Sequence, residues 1–116
     1  MEDRDYLLHI ARAIGEIGEH TAGMSREAYE QDSKTQRAVE RNLQIIGEAV
    51  RKLSPGFKST RPGIEWDEIY ATRNVVVHQY FGVDNSIVWD ILLEDVPLRR
   101  EVVRGALAEC GDAPRA

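Results

Sequence analysis

The sequence predicts an all-α fold, an up-down bundle of four to five helices, on three observations. Apolar residues recur at alternating steps of three and four. Pro55, Pro62, Pro97 and Pro114 all fall between such stretches, as helix punctuation should. Outside the run Val75-Val76-Val77 nothing resembles a strand, and no hairpin turn occurs.

Leu7, Ile10, Ile14, Ile17 and Thr21 lie on one face of a first helix, about Arg4 to Ala22, which Gly23 ends. Ser25 caps a short turn through Tyr29. Ser33 is the expected N-cap of a second long helix, whose apolar row is Val39, Leu43, Ile46, Val50 and Leu53. Ser54-Pro55-Gly56 stops it, and the loop from Ser54 to Gly63, with Gly, Pro and cations, should be exposed. A third helix is expected from about Glu65 to Tyr80; Val75-Val76-Val77 also suits a buried strand, but its surroundings favour helix. Gly82 should end that helix and Asp84 cap the next, whose apolar residues Ile87, Val88, Trp89, Ile91, Leu92 and Leu93 predict the most buried element or a partial interface. Pro97 should kink or restart the chain, and Leu98 to Glu109 forms the last helix. One domain over 4–109 is expected, with a flexible tail over 110–116.

Charged residues make up 30% of the chain and hydrophobic ones 42%, a globular rather than a disordered composition. No apolar run approaches the roughly 20 residues of a membrane span. The start, Met1-Glu2-Asp3-Arg4-Asp5, is unlike a secretory signal. The single cysteine, Cys110, allows no internal disulfide or cysteine-based zinc site. A cytoplasmic protein without metal or cofactor is expected. The formal net charge of −5 argues against a wholly basic nucleic-acid coat but leaves room for a local basic cleft. A small core and an apolar fourth helix make a homodimer the expected assembly.

The densest polar cluster in an apolar setting is Arg73-Asn74-Val75-Val76-Val77-His78-Gln79-Tyr80. Arg73 can hold phosphate oxygens with its planar fork. His78 can transfer protons near neutral pH. Asn74 can orient a neighbour, and Tyr80 offers a phenol and a stacking face. Asn74 and His78 share a helical stripe. Arg73 to His78 is about 140° round and about 7.5 Å along, so straight-helix spacing alone does not make them touch. A long side chain, a distorted helix end, or a two-fold dimer lining one cleft with both motifs would bring them together.

This stretch resembles the R-x4-H-x-Y signature of the HepT-like proteins, a branch of the HEPN superfamily. Arg73, His78 and Tyr80 match residue by residue, and Asn74 matches the polar residue that commonly follows the arginine. The likeness extends to Arg4-Asp5-Tyr6-Leu7-Leu8, Lys34-Thr35-Gln36, Arg41-Asn42-Leu43, Ile46-Gly47-Glu48-Ala49, Tyr80-Phe81-Gly82-Val83-Asp84 and Val88-Trp89. Gln79 departs from it, since glycine is common there. The resemblance implies an all-helical dimer acting as the ribonuclease toxin of a toxin–antitoxin pair. It also implies a small nucleotidyltransferase antitoxin that silences the toxin by attaching AMP to Tyr80. Arg73 and His78 would be catalytic and Asn74 supporting, with RNA as substrate and no metal. The alternative is a non-catalytic nucleotide- or RNA-binding partner subunit of a nucleotidyltransferase.

Other polar residues invite plainer readings. Lys34, Arg37 and Arg41 form a basic row on the second helix that suits RNA or an ordinary solvated face. Gly47 there suggests close helix packing. His9 and His20, too far apart along helix one to share a metal, are expected at the surface. Trp66 and Trp89 are expected as core or interface anchors.

Overall fold

The computed structural model describes residues 2–77 and 85–109, the side chains of 72–77 excepted. In chain order it comprises α1 (Asp3–Thr21), α2 (Arg26–Glu30), α3 (Ser33–Lys52), α4 (Pro55–Ser59), α5 (Trp66–Val77), α6 (Asn85–Asp90), a π-helical turn (Ile91–Asp95) and α7 (Val96–Glu109). Among the described residues there is no strand. The helical reading of Val75-Val76-Val77 holds, since α5 runs through Val77.

The two periodic rows read from sequence make the centre of the core. Leu7, Ile10, Ile14 and Ile17 of α1 and Val39, Leu43, Ile46 and Val50 of α3 are fully buried. Fully burying such side chains contributes about 1.5–3 kcal/mol each, before ordering costs. The two helices run antiparallel, because the Asp3 carboxylate at the start of α1 accepts from Ser54 just beyond α3, from its N–H at 2.8 Å and its hydroxyl at 2.7 Å. α5 packs against α3, and α7 against the other flank of α1. That flank is the small-residue row Ala11, Gly15 and Gly18, and a Cβ on Gly18 would stand 3.4 Å from the Arg100 guanidinium. α5 and α7 approach each other across a cleft lined by Ile64, Glu68, Ile69, Leu98 and Arg99, among others. Four long rods, α1, α3, α5 and the α6–π–α7 run, therefore surround the core.

α2 fastens the fourth rod to this frame. Its cap is Ser25, as the sequence suggested, accepting from the Ala28 N–H at 3.1 Å. Tyr29 is buried with its ring 5.3 Å from that of Trp89 on α6. Arg26 pairs with Asp90 at 2.8 Å and donates to the Ser86 hydroxyl at 2.7 Å.

Four expectations are corrected. The cap of α3 is Asp32 rather than Ser33, its carboxylate accepting from the Thr35 N–H at 3.0 Å; a carboxylate is the stronger acceptor for an exposed helix start. The supposed exposed loop after α3 contains α4, capped by Ser54, with Phe57 turned inward onto Trp66 at 6.0 Å between centroids. Of the two readings of the fourth helix, that of the most buried element is overturned: Ile87 is 46% exposed and Leu93 58%. The irregularity expected at Pro97 falls just before it. Proline has no N–H for the Leu93 carbonyl and its ring crowds that carbonyl. The chain widens into a π turn instead, where the Val96 N–H reaches back five residues to Ile91. The end of α5 towards Tyr80, the Gly82 stop, the Asp84 cap and the tail lie outside the described residues.

Candidate functional site

The motif-bearing helix is anchored at its start. Trp66 and Ile69 are buried on α5, and Tyr70 is half-buried beside them. The Phe57 ring of α4 meets Trp66, and the Arg61 guanidinium lies 4.4 Å over that Phe57 ring. Arg61 also pairs with Glu109, which ties this corner to the end of α7. Next to it, Glu65 and Glu68 share a hydrogen bond that raises the Glu68 pKa, and the charge of Glu65 raises it further. Arg99, facing Glu68 and Asp95, has its pKa lowered by burial while those carboxylates hold it up. An arginine still titrates far above neutrality after such a shift, so Arg99 remains a cation between α5 and α7.

Arg73 stands four residues after Ile69 and seven after Trp66 along α5. Asn74 stands four after Tyr70. The structure thus brings Arg73 and Asn74 to the C-terminal half of a helix packed on α3. His78, Gln79 and Tyr80 lie outside the described residues. Gly47 is buried in α3 on the row that also carries Leu43 and Val50.

A second concavity opens between α1 and α3. It has about 290 Å³ of free volume and is lined by His9, Arg12, Ala13, Glu16, Asn42 and Ile45. Asn42 is buried, its amide donating to the Ala38 carbonyl at 3.1 Å. The Tyr6 ring meets that of His9 edge-on at 6.1 Å. Lys34, Arg37 and Arg41 are exposed, as are His9 and His20. Trp66 and Trp89 are core anchors, as expected. Sequence reasoning missed Arg12 and Asn42. The available signal was Asn42 itself, an amide next to the apolar row Val39, Leu43 and Ile46.

The family model described as "Ribonuclease HepT-like" matches residues 10–105. A relative from Thermococcus cleftensis, named "Probable ribonuclease HepT", is 44% identical over 94 residues, covering 81% of this chain and 86% of that one. Two proteins named "Putative RNase" align over more of the chain. One, from Caldanaerobacter subterraneus subsp. tengcongensis, is 36% identical over 104 residues, or 90% of this chain and 93% of the relative. The other, from Methanocaldococcus jannaschii, is 34% identical over 106 residues, or 88% and 97%. No solved structure matches the chain significantly. An all-helical frame and a match over nearly the whole bundle agree: the chain belongs to the HepT-like ribonuclease family.

Proposed function

We propose that this chain is a metal-independent endoribonuclease, the toxin of a toxin–antitoxin pair, acting as a cytoplasmic homodimer of a single domain over 4–109. The observation that carries the reading is Arg73 and His78 at the family spacing in a chain whose relatives are named as ribonucleases. RNA carries its own nucleophile, the 2′-hydroxyl beside each phosphodiester. His78 takes the proton of that hydroxyl or gives one to the departing 5′-oxygen. The 2′-oxygen bonds to phosphorus as the 5′-oxygen leaves, and a 2′,3′-cyclic phosphate results. Arg73 binds the scissile phosphate and stabilises charge as it builds on the equatorial oxygens. Asn74 positions His78 or the phosphate. Tyr80 contacts RNA and accepts AMP from a nucleotidyltransferase antitoxin, which adds bulk and negative charge where RNA must enter.

The test is incubation of the purified chain with total RNA and EDTA. Cleavage should persist with chelator and fall by about 10²-fold or more in His78→Ala, the usual worth of a general acid or base. Cleavage that needs added metal, or that His78→Ala leaves intact, would falsify the mechanism. Co-expression with a neighbouring nucleotidyltransferase should add whole AMP masses to the parent chain and none to Tyr80→Phe; an unchanged mass gain in that variant excludes Tyr80 as the acceptor.

A further inference from the structure

Some cations of the described surface are paired: Arg26 with Asp90 at 2.8 Å, Arg51 with Glu48 at 3.9 Å, Arg104 with Glu101 at 3.4 Å, and Arg61 with Glu109. Arg12, Lys34, Arg37 and Arg41, like Lys52, Lys58 and Arg100, form no ion pair among the described residues. Arg12 and the three α3 cations are set apart by their spacing, not by being unpaired. Lys34, Ala38, Arg41 and Ile45 follow one another at steps of four, three and four, a single row along α3, and Ile45 lines the concavity. Arg12 lines it from α1.

Helix stability does not explain this placement. Lys34 and Arg37 occupy the first turns of α3, where the helix dipole disfavours cations, and that first turn holds no acid. The Asp32 cap and Glu40 feel Lys34 and Arg37 electrostatically but do not pair with them. A stability optimum would put carboxylates where these cations stand. With a net charge of −5, the molecule as a whole repels a polyanion, so any polyanion it holds must be held by a local row of this kind.

Resting on the reading that the chain acts on RNA, we infer that the α1/α3 groove is a second contact for single-stranded RNA, separate from the motif on α5. Lys34, Arg37, Arg41 and Arg12 hold successive phosphates, three of them by guanidinium forks suited to that geometry. The concavity seats one unpaired base, stacked on the His9–Tyr6 pair. Glu16 accepts from an exocyclic amine of that base, and the Asn42 amide lies at the groove wall. A free volume of about 290 Å³ admits a base but not a duplex. Asn42 and Ile45 place the concavity on α3, whereas Arg73 and Asn74 lie on α5. An RNA long enough to pass round α3 therefore gains contacts that a short one lacks.

The experiment uses the full chain and a fluorescent, uncleavable 2′-O-methyl RNA of about 20 nucleotides, with anisotropy read across a salt series. Arg37→Gln with Arg41→Gln should weaken binding about tenfold and lower the log–log salt slope by about 1.4, two single-strand phosphate contacts. Lys58→Gln with Arg100→Gln removes the same charge elsewhere and should change affinity by less than about twofold. All four positions are at least partly exposed, so circular dichroism should show the fold retained in both pairs. Equal losses in the two pairs, no loss in the groove pair, or no binding by the parent chain overturns the inference. So does a groove pair that binds RNA normally but no longer captures a nucleotidyltransferase, since the surface would then be a protein contact. Cleavage of total RNA by the parent chain in EDTA is scored in parallel. Its absence sinks the ribonuclease reading alone and leaves the binding comparison readable.

Discussion

Gly15 and Gly18 sit three residues apart on the α7-facing flank of α1, and they do different things. A Cβ built on Gly15 meets nothing within 4 Å, whereas one on Gly18 stands 3.4 Å from the Arg100 Nη2. Glycine inside a helix costs roughly 0.5–1 kcal/mol relative to alanine through backbone entropy. Gly15→Ala should therefore stabilise the chain by about that amount, read as a higher urea midpoint at unchanged slope. Gly18→Ala gains the same entropy but must displace a guanidinium, so its midpoint should rise less. A larger rise for Gly18→Ala would mean that Arg100 does not rest on α1 in solution.

The elements show which local signals are strong enough to read from sequence. α1 and α3 were legible because each buries a single row, and burial of four or more apolar side chains outweighs any local competition. The start of α3 was misplaced by one residue because Asp32 and Ser33 are both good caps, and only the hydrogen bond to Thr35 decides between them. α4 was missed because five residues carry too little periodicity to announce a helix, although Ser54-Pro55 is a sound cap-and-first-turn pair. The fourth rod was overburied because its apolar residues were counted without regard to face: Val88, Leu92 and Val96 follow at steps of four into the core, whereas Ile87 and Leu93 flank that row and are exposed. Arg73 and His78 are singled out by their resemblance to a family signature, since straight-helix spacing leaves them about 140° apart. The α1/α3 groove was not legible, because its walls are some thirty residues apart in the chain. The Asp32 cap also carries a pH signature. Hydrogen bonds from Thr35, backbone first, lower its folded pKa below the usual 3.8. The unfolded chain then takes up the proton first as acid is added. The cap's charged contribution is full above the usual carboxylate range and is lost as pH falls through the lowered folded value. Asp32→Asn keeps a capping oxygen without the charge. Its deficit against the parent should be present at about pH 6 and shrink towards about pH 2, in urea midpoints taken across that range. A deficit constant with pH would show that the charge contributes nothing.

At the scale of the whole molecule, the proposed chemistry raises a problem that one chain does not obviously solve. On a straight helix Arg73 and His78 point about 140° apart and lie about 7.5 Å apart along the axis. A two-fold axis offers a solution, because it places one chain's motif opposite the other's, so that Arg73 from one protomer and His78 from its partner can complete each site. Such an assembly makes a prediction that a self-contained site does not. Arg73→Ala and His78→Ala chains, each inactive alone, are unfolded together and refolded at equal amounts. Random pairing makes half the dimers mixed, and every mixed dimer holds one site with both groups intact and one with neither. Cleavage should return to about a quarter of the parent rate, as expected for two equivalent composite sites in a closed dimer. If each site instead draws both groups from one chain, every protomer in every mixture lacks one of them and the refolded mixture stays as inactive as its components. Light scattering on the same samples shows whether dimers are present, so a silent mixture of dimers would refute the composite site itself, and a silent mixture of monomers would refute the dimer on which it depends.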